Sequence, residues 1–379
     1  MHDVTPSRFR RFLFPALLAF FSLVLLALVY GGTLVYRGLT LYEGIKWYSR
    51  DFIGRVYAAD PAVGYRLAPN ARGSFAIPLG DPVPVFHDAE GLRAPQGVQQ
   101  AVMGARHPRL LFLGDSFTYG SLVAAEDTFP YLAAQHLGGE TVNGGVPGYG
   151  LAQMVRRAEE LIPKYKPDYV VVQYSPWLVQ RAISEFAPAD NGYLTAVPYY
   201  TGDAAPEIVA PAFPPQGITV DAYRTTPRSL GDRLSFLWNV ALPKYVYEDF
   251  HLYPFRLRQF LSLAPEPSGN GTGVLLKAYA DIDAIAQRHQ ARTVILVLGN
   301  SFSMEVPELL FPPQALRVNA QQALLQRLPV VDSEHYMRAY WLMRGNPPRP
   351  VDWHPNERAH ALIAEVLAQD LRRNDVRSR

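Results

Sequence analysis

The sequence predicts an α/β fold in which a parallel sheet is flanked by helices and preceded by one transmembrane helix. Two observations carry it: short, wholly apolar strand-like runs alternate with helical segments from Arg109 onward, and an uncharged aliphatic stretch lies near the N-terminus. At 379 residues the chain is too long for one ordinary domain and too short for two large independent cores, so one main domain with additions is expected.

The aliphatic stretch runs from Phe12 to Tyr36, bounded by Arg11 and Arg37. It is long enough to cross a bilayer, and no small-x-small cleavage site follows it, which predicts an uncleaved anchor. Residues 1–11, with Arg8, Arg10 and Arg11, read as a cytoplasmic tail, 12–36 as the span, and the rest as extracytoplasmic. Residues 37–107 read as a membrane-proximal connector of short extended pieces such as Asp60–Asn70, spacing the next domain from the bilayer.

The repeating units follow. Leu110–Gly114 is a strand buried on both faces; a helix follows near Thr128–Leu137, then a strand at Thr141–Val142. Leu151–Ile162 carries apolar residues at helical spacing, and KPDYVVVQY ends in another buried strand. After an interruption at about 181–268 come a helix near Val274–His289, a strand at Thr293–Gly299, a helix near Gln314–Leu325 and a strand at Pro329–Asp332. A last helix begins after Pro355 and ends near Arg373, leaving 374–379 as a tail. Such sheets bind ligands beyond the carboxyl ends of their strands.

Composition narrows the chemistry. The net charge of +2, with no long basic run, gives no footprint for nucleic acid. The absence of cysteine excludes disulfides, a thiol nucleophile and thiolate metal sites. No cofactor motif is present, and Glu248, Asp249 and His251 do not have a metal-site spacing.

Three loops can carry chemistry. GDSFTYG puts Ser116 at the turn after the first strand, where a hydroxyl needs an adjacent base to become a nucleophile. VDWHPN puts Asp352 and His354 in the loop leading into the last helix, a place from which imidazole can reach the first strand end with the carboxylate fixing its tautomer. NGGVPGYG, after the second strand, offers Asn143 and glycine amides to an anion. His360 reads as a packing residue on the last helix.

In that order, GDSFTYG, NGGVPGYG and DWHPNERAH resemble the first, second and fifth blocks of the SGNH or GDSL hydrolases, over roughly residues 108–373 apart from the interruption. The resemblance implies a flavodoxin-like sheet, with Ser116 as nucleophile, His354 as base, Asp352 as its orienter and the amides of Ser116 and Gly148 as oxyanion donors. DPAVGYRLAPN and HDAEGLR are similar to the membrane-proximal region of anchored bacterial members, implying an inner-membrane protein with its domain on the periplasmic side.

One block departs from the family. In place of Gly-x-Asn-Asp the chain reads QYSPWLVQRA, with Trp177 where the oxyanion-binding asparagine is expected. Losing one such donor typically costs roughly 100- to 1,000-fold in turnover. Trp177 or Gln173 is a candidate substitute, with Ser175 and Asn300 as further ones. Tyr193, Tyr199, Tyr200, Tyr245 and Tyr253 in the interruption can stack on sugars or, as the plainer reading, form a small core of their own. The expected activity is hydrolysis of acyl esters, with acetyl on an envelope or extracellular glycan as the substrate that location suggests. Two alternatives stand beside it: O-acyl transfer to a surface polysaccharide by the same triad, and non-catalytic glycan binding.

Overall fold

The computed structural model describes residues 8–48, 52–53, 56–75, 83–98, 106–175, 177–184, 187, 196–201, 206–211, 230–247, 249–250, 270–298, 328–333 and 354–377. Helix α1 (Arg8–Tyr48) contains the apolar stretch, and its segment Leu13–Leu39 is long and apolar enough to cross a membrane. Five short strands follow: β1 (Phe52–Ile53), β2 (Tyr57–Asp60), β3 (Gly64–Leu67), β4 (Arg72–Phe75) and β5 (Val83–Phe86). They pair as an antiparallel β2–β3 hairpin and a three-stranded antiparallel unit, β1–β4–β5.

The central sheet is built from β6 (Arg109–Leu113), β7 (Glu140–Asn143), β8 (Tyr169–Tyr174), β11 (Arg292–Val297) and β12 (Val330–Asp332); a small hairpin, β9 (Tyr199–Thr201) and β10 (Glu207–Val209), lies between β8 and β11 in the chain. Its strand order is β12-β11-β8-β6-β7, and every pairing is parallel. Counted along the chain, this is the 2-1-3-4-5 order of flavodoxin-like folds, in which the chain reverses direction across the sheet beside its first strand. The expected α/β class and its flavodoxin-like form are therefore what the chain adopts.

Alternation along the strands divides the core into two layers. Leu111, Leu113, Val170, Val172, Ile295 and Val297 face α4 (Leu151–Tyr165) and α8 (Asn270–Arg288). Leu110, Phe112, Val171, Val294, Leu296 and Val331 face α3 (Phe129–Leu137) and α9 (Glu357–Arg377). Burial on both faces is why these strands read as continuous apolar runs. The helix expected near Gln314–Leu325 lies outside the described residues.

The connector is more than a spacer. Tyr65, Leu67, Phe75 and Val85 are buried in one cluster with Tyr119, Val146 and Tyr149, which belong to the loops beyond β6 and β7. Gln153 on α4 donates to Val63 O at 2.8 Å, and Arg66 reaches both Asp60 and Glu160. Of the tyrosines of the interruption, Tyr193 and Tyr253 lie outside the described residues. Tyr200 is buried in the main core against α4, and Tyr245 lies against α1, because both pieces of the interruption fold back onto existing elements.

His360 packs as expected, with an added role. Thr128, which precedes α3, makes no side-chain cap. Instead Phe129 N donates to His360 Nδ1 at 3.1 Å, and the imidazole stacks on the Phe129 ring. One helix thus satisfies an orphan amide of another. Burial, with His354 nearby as a lesser cause, pushes His360 down to about 3, so it stays neutral in the fold. The unfolded chain takes up that proton near pH 6.5, so the native state loses stability as pH falls from about 6.5 toward 3, by at most about 1.4 kcal/mol per pH unit for this group. His360→Gln should lower the melting temperature at pH 7 yet flatten its fall between pH 7 and pH 5, as thermal unfolding by circular dichroism would record.

Candidate active site

The chain leaves β6 through Gly114 and Asp115 and enters α2 (Ser116–Tyr119), a single turn closed by Gly120 at φ 78°. A side chain at Gly114 would collide with Thr118 Oγ1 and Gln173 Oε1, and one at Gly145 with the Tyr119 backbone nitrogen at 2.5 Å. Those two glycines let the loops after β6 and β7 close on each other. Ser116 stands first in the turn, partly exposed, where an amide has no helical partner.

Asp115 has no solvent exposure, and its carboxylate is filled from four sides. Oδ1 accepts from Phe117 N at 3.0 Å and from Gln173 Nε2 at 2.8 Å. Oδ2 accepts from Trp177 Nε1 at 2.6 Å and from Arg181 at 2.8 Å. Gln173 closes the network in the other direction, its Oε1 accepting from Asp115 N and from Thr118 Oγ1. A buried carboxylate is tolerated when it is paired and hydrogen-bonded in this way.

The donors offered by the unusual third block therefore have an owner. Trp177 Nε1 is committed to Asp115, and Gln173 Nε2 to Asp115 and to Ser175 Oγ. Both candidate substitutes for the missing donor thus lie close to the nucleophile turn and are hydrogen-bonded to the buried charge. Asn300 lies outside the described residues. Sequence reasoning missed both Asp115 as a hub and Arg181 as its counter-charge. The available signal was spacing, since Gln173, Trp177 and Arg181 recur at every fourth position.

The second loop is ordered as tightly. Asn143 Nδ2 donates to Thr118 O at 3.0 Å, and Asn143 Oδ1 accepts from Gly145 N. Gly144 N donates to Phe112 O, Val146 N to Gly114 O, Tyr149 N to Val146 O and Gly150 N to Gln153 Oε1. Pro147 has no amide hydrogen, so Gly148 carries the one amide of this loop without an acceptor among the described residues. Gly148 sits at φ 80°, in the left-handed region that favours glycine. It is held from both sides: Tyr65 Oη donates to Pro147 O at 2.7 Å, and Tyr149 Oη donates to Tyr65 O at 2.6 Å.

His354 is brought to the same end of the sheet. Its ring lies 5.4 Å, centroid to centroid, from Phe117, the residue after Ser116, and Phe117 in turn meets Trp177 edge-on at 5.0 Å. Asp352 lies outside the described residues. Ser116 makes no side-chain hydrogen bond among the described residues.

Breaking the ion pair tests the hub. Arg181→Met should destabilise the fold by about 3 kcal/mol, the low end for a broken buried pair because Arg181 is partly exposed, and Asp115→Asn in the same chain should recover much of that loss. Denaturant unfolding of the two single variants and the double variant reads the coupling directly.

No protein-family model matches the sequence, and no curated protein matches it. Among solved structures the chain is similar to a member of the lipolytic protein G-D-S-L family from Veillonella parvula, at 12% identity and a TM-score of 0.37 over 69% of this chain and 96% of that one. It is similar to a GDSL-like lipase from Bacteroides thetaiotaomicron, at 12% identity and a TM-score of 0.34 over 73% and 94%. The psychrotrophic esterase EstA from Pseudoalteromonas sp. is similar at 12% identity and a TM-score of 0.33 over 70% and 98%.

Proposed function

We propose that the chain is a membrane-anchored serine esterase that removes acyl groups, acetyl in the first instance, from an envelope or extracellular glycan. The observation that carries this reading is the meeting, at one end of the sheet, of a serine whose amide and hydroxyl are unpaired among the described residues, a glycine amide without an acceptor among them, and a histidine packed on the serine's neighbour. These are the parts an acyl transfer to serine needs.

In the proposed reaction, Ser116 Oγ attacks the ester carbonyl carbon while His354 takes its proton, with Asp352 orienting the imidazole. The oxyanion rests against the amides of Ser116 and Gly148. Collapse breaks the bond to the alcohol oxygen, which leaves with the proton from His354. Water, deprotonated by the same histidine, then attacks the acyl-serine and releases the acid. The Trp177 side chain takes no part in the hole and acts on the nucleophile turn through Asp115. Glycan as the acyl carrier follows from an anchored domain held outside the bilayer, which α1 supports.

The test is covalent labelling of the full chain in detergent with a fluorophosphonate probe. Wild type should give an adduct that peptide mapping locates at Ser116, Ser116→Ala should give none, and His354→Ala should slow labelling by roughly 100-fold or more. Acetate released from an acetylated glycan should follow the same order. A folded wild-type chain that takes no label would overturn the esterase reading, and label without free acetate, with acyl appearing on an added glycan acceptor, would turn it to transfer.

A further inference from the structure

Residues 230–250 break the usual rule for surface helices. The segment comprises α6 (Leu230–Phe236), a wider π-type turn at Leu237–Ala241 and α7 (Leu242–Tyr247), and it continues to Phe250. Every fourth residue is large and apolar: Leu230, Leu234, Trp238, Leu242, Val246 and Phe250. Five of the six are exposed, at 73%, 55%, 73%, 40% and 62% for Leu230, Leu234, Trp238, Val246 and Phe250. A soluble surface seldom carries so continuous an apolar stripe.

The neighbouring stripe explains where the segment sits. Leu237, Ala241, Tyr245 and Asp249 turn toward α1, and Gly38, lacking a side chain, lets Leu237 and Ala241 lie directly on the α1 backbone. Arg37 donates to Asp249 Oδ2 at 2.6 Å and covers the Tyr245 ring at 4.0 Å, while Tyr30 Oη also donates to Asp249. Tyr30 meets Phe250 edge-on at 5.7 Å. The stripe is therefore continuous with the bare apolar surface of α1, which exposes Phe20, Phe21, Leu25, Leu28 and Val29.

Length fixes the depth. The apolar segment of 27 residues spans about 40 Å as a helix, against a hydrocarbon core of about 30 Å. Tyr30 to Arg37 then falls near the boundary where the helix leaves the core, a level that suits aromatic rings and a paired charge.

We propose that residues 230–250 are a second membrane contact, a segment that descends beside α1 toward the bilayer and carries Val246 and Phe250 into the headgroup–acyl boundary. This rests on the reading of α1 as a membrane anchor. It would hold the domain to the bilayer surface at two points, as interfacial helices with one apolar face do.

The chain has no cysteine, so single cysteines label one site each. The full chain carrying Val246→Cys or Phe250→Cys is spin-labelled and reconstituted into phosphatidylcholine/phosphatidylglycerol vesicles, with Phe20→Cys as the lipid reference and Gln287→Cys, on the exposed side of α8, as the water reference. Electron paramagnetic resonance then compares collisions with oxygen and with a water-soluble nickel chelate. Residues 246 and 250 should show an oxygen-to-chelate ratio several-fold above that at residue 287 and close to that at residue 20. If residue 20 reads as lipid while 246 and 250 read as water, the inference is overturned and the anchor stands. If residue 20 also reads as water, the anchor reading falls with it. Labels at 246 and 250 shielded from both reagents would mean that protein, such as a second copy, covers the stripe, and would equally overturn it.

Discussion

The region around Ser116 depends on one buried charge. Asp115 has no access to solvent, and an ionised carboxylate in that position is tolerable only because an amide, a carboxamide, an indole and a guanidinium converge on its two oxygens. Each donor comes with a structural obligation. Phe117 N sets the first turn of α2, Gln173 ties the end of β8 to that turn, and Trp177 and Arg181 bring the start of α5 (Leu178–Ala182) over it. The carboxylate thereby fixes the relative positions of three consecutive pieces of chain, and Ser116 rides on the one in the middle.

A second constraint acts from the membrane-proximal side. The strands between 57 and 86 are too short to be stable alone. They acquire a core by burying Tyr65, Phe75 and Val85 against Tyr119, Val146 and Tyr149. The same contact supplies the two tyrosine hydroxyls that bracket Gly148. With Gly148 in a left-handed conformation and its amide unpaired, the direction of that N–H is set by its neighbours rather than by its own hydrogen bond.

Much of the fold was legible in the sequence because burial on both faces leaves an unmistakable composition. LLFL, YVVV and TVILV have no polar alternation, and the helices between them carry regular apolar spacing. The flavodoxin-like order was legible only through the resemblance carried by GDSFTYG, NGGVPGYG and DWHPNERAH, because the connections from β8 to β11 and from β11 to β12 are long. The site was legible only where chemistry imposes a local pattern. GDS and the glycines of the second loop are such patterns; Arg181 is not, because its meaning lies in a carboxylate 66 positions earlier. The bond from Trp177 to Asp115 was illegible for a related reason: the direction of an N–H is a tertiary property. The 56–98 segment was underestimated because single apolar residues among turn formers do not reveal that one tyrosine among them is fully buried.

These constraints join end to end. Helix α1 leads within a few residues into the strands that clamp the Gly148 loop, and that loop is bonded to α2 through Asn143 and Thr118. The piece of chain after β8 that carries Trp177 and Arg181 leads on to residues 230–250, which return to α1 and grip it through Arg37 and Asp249. Both walls of the Ser116 turn are thus continuous with segments that touch the same helix.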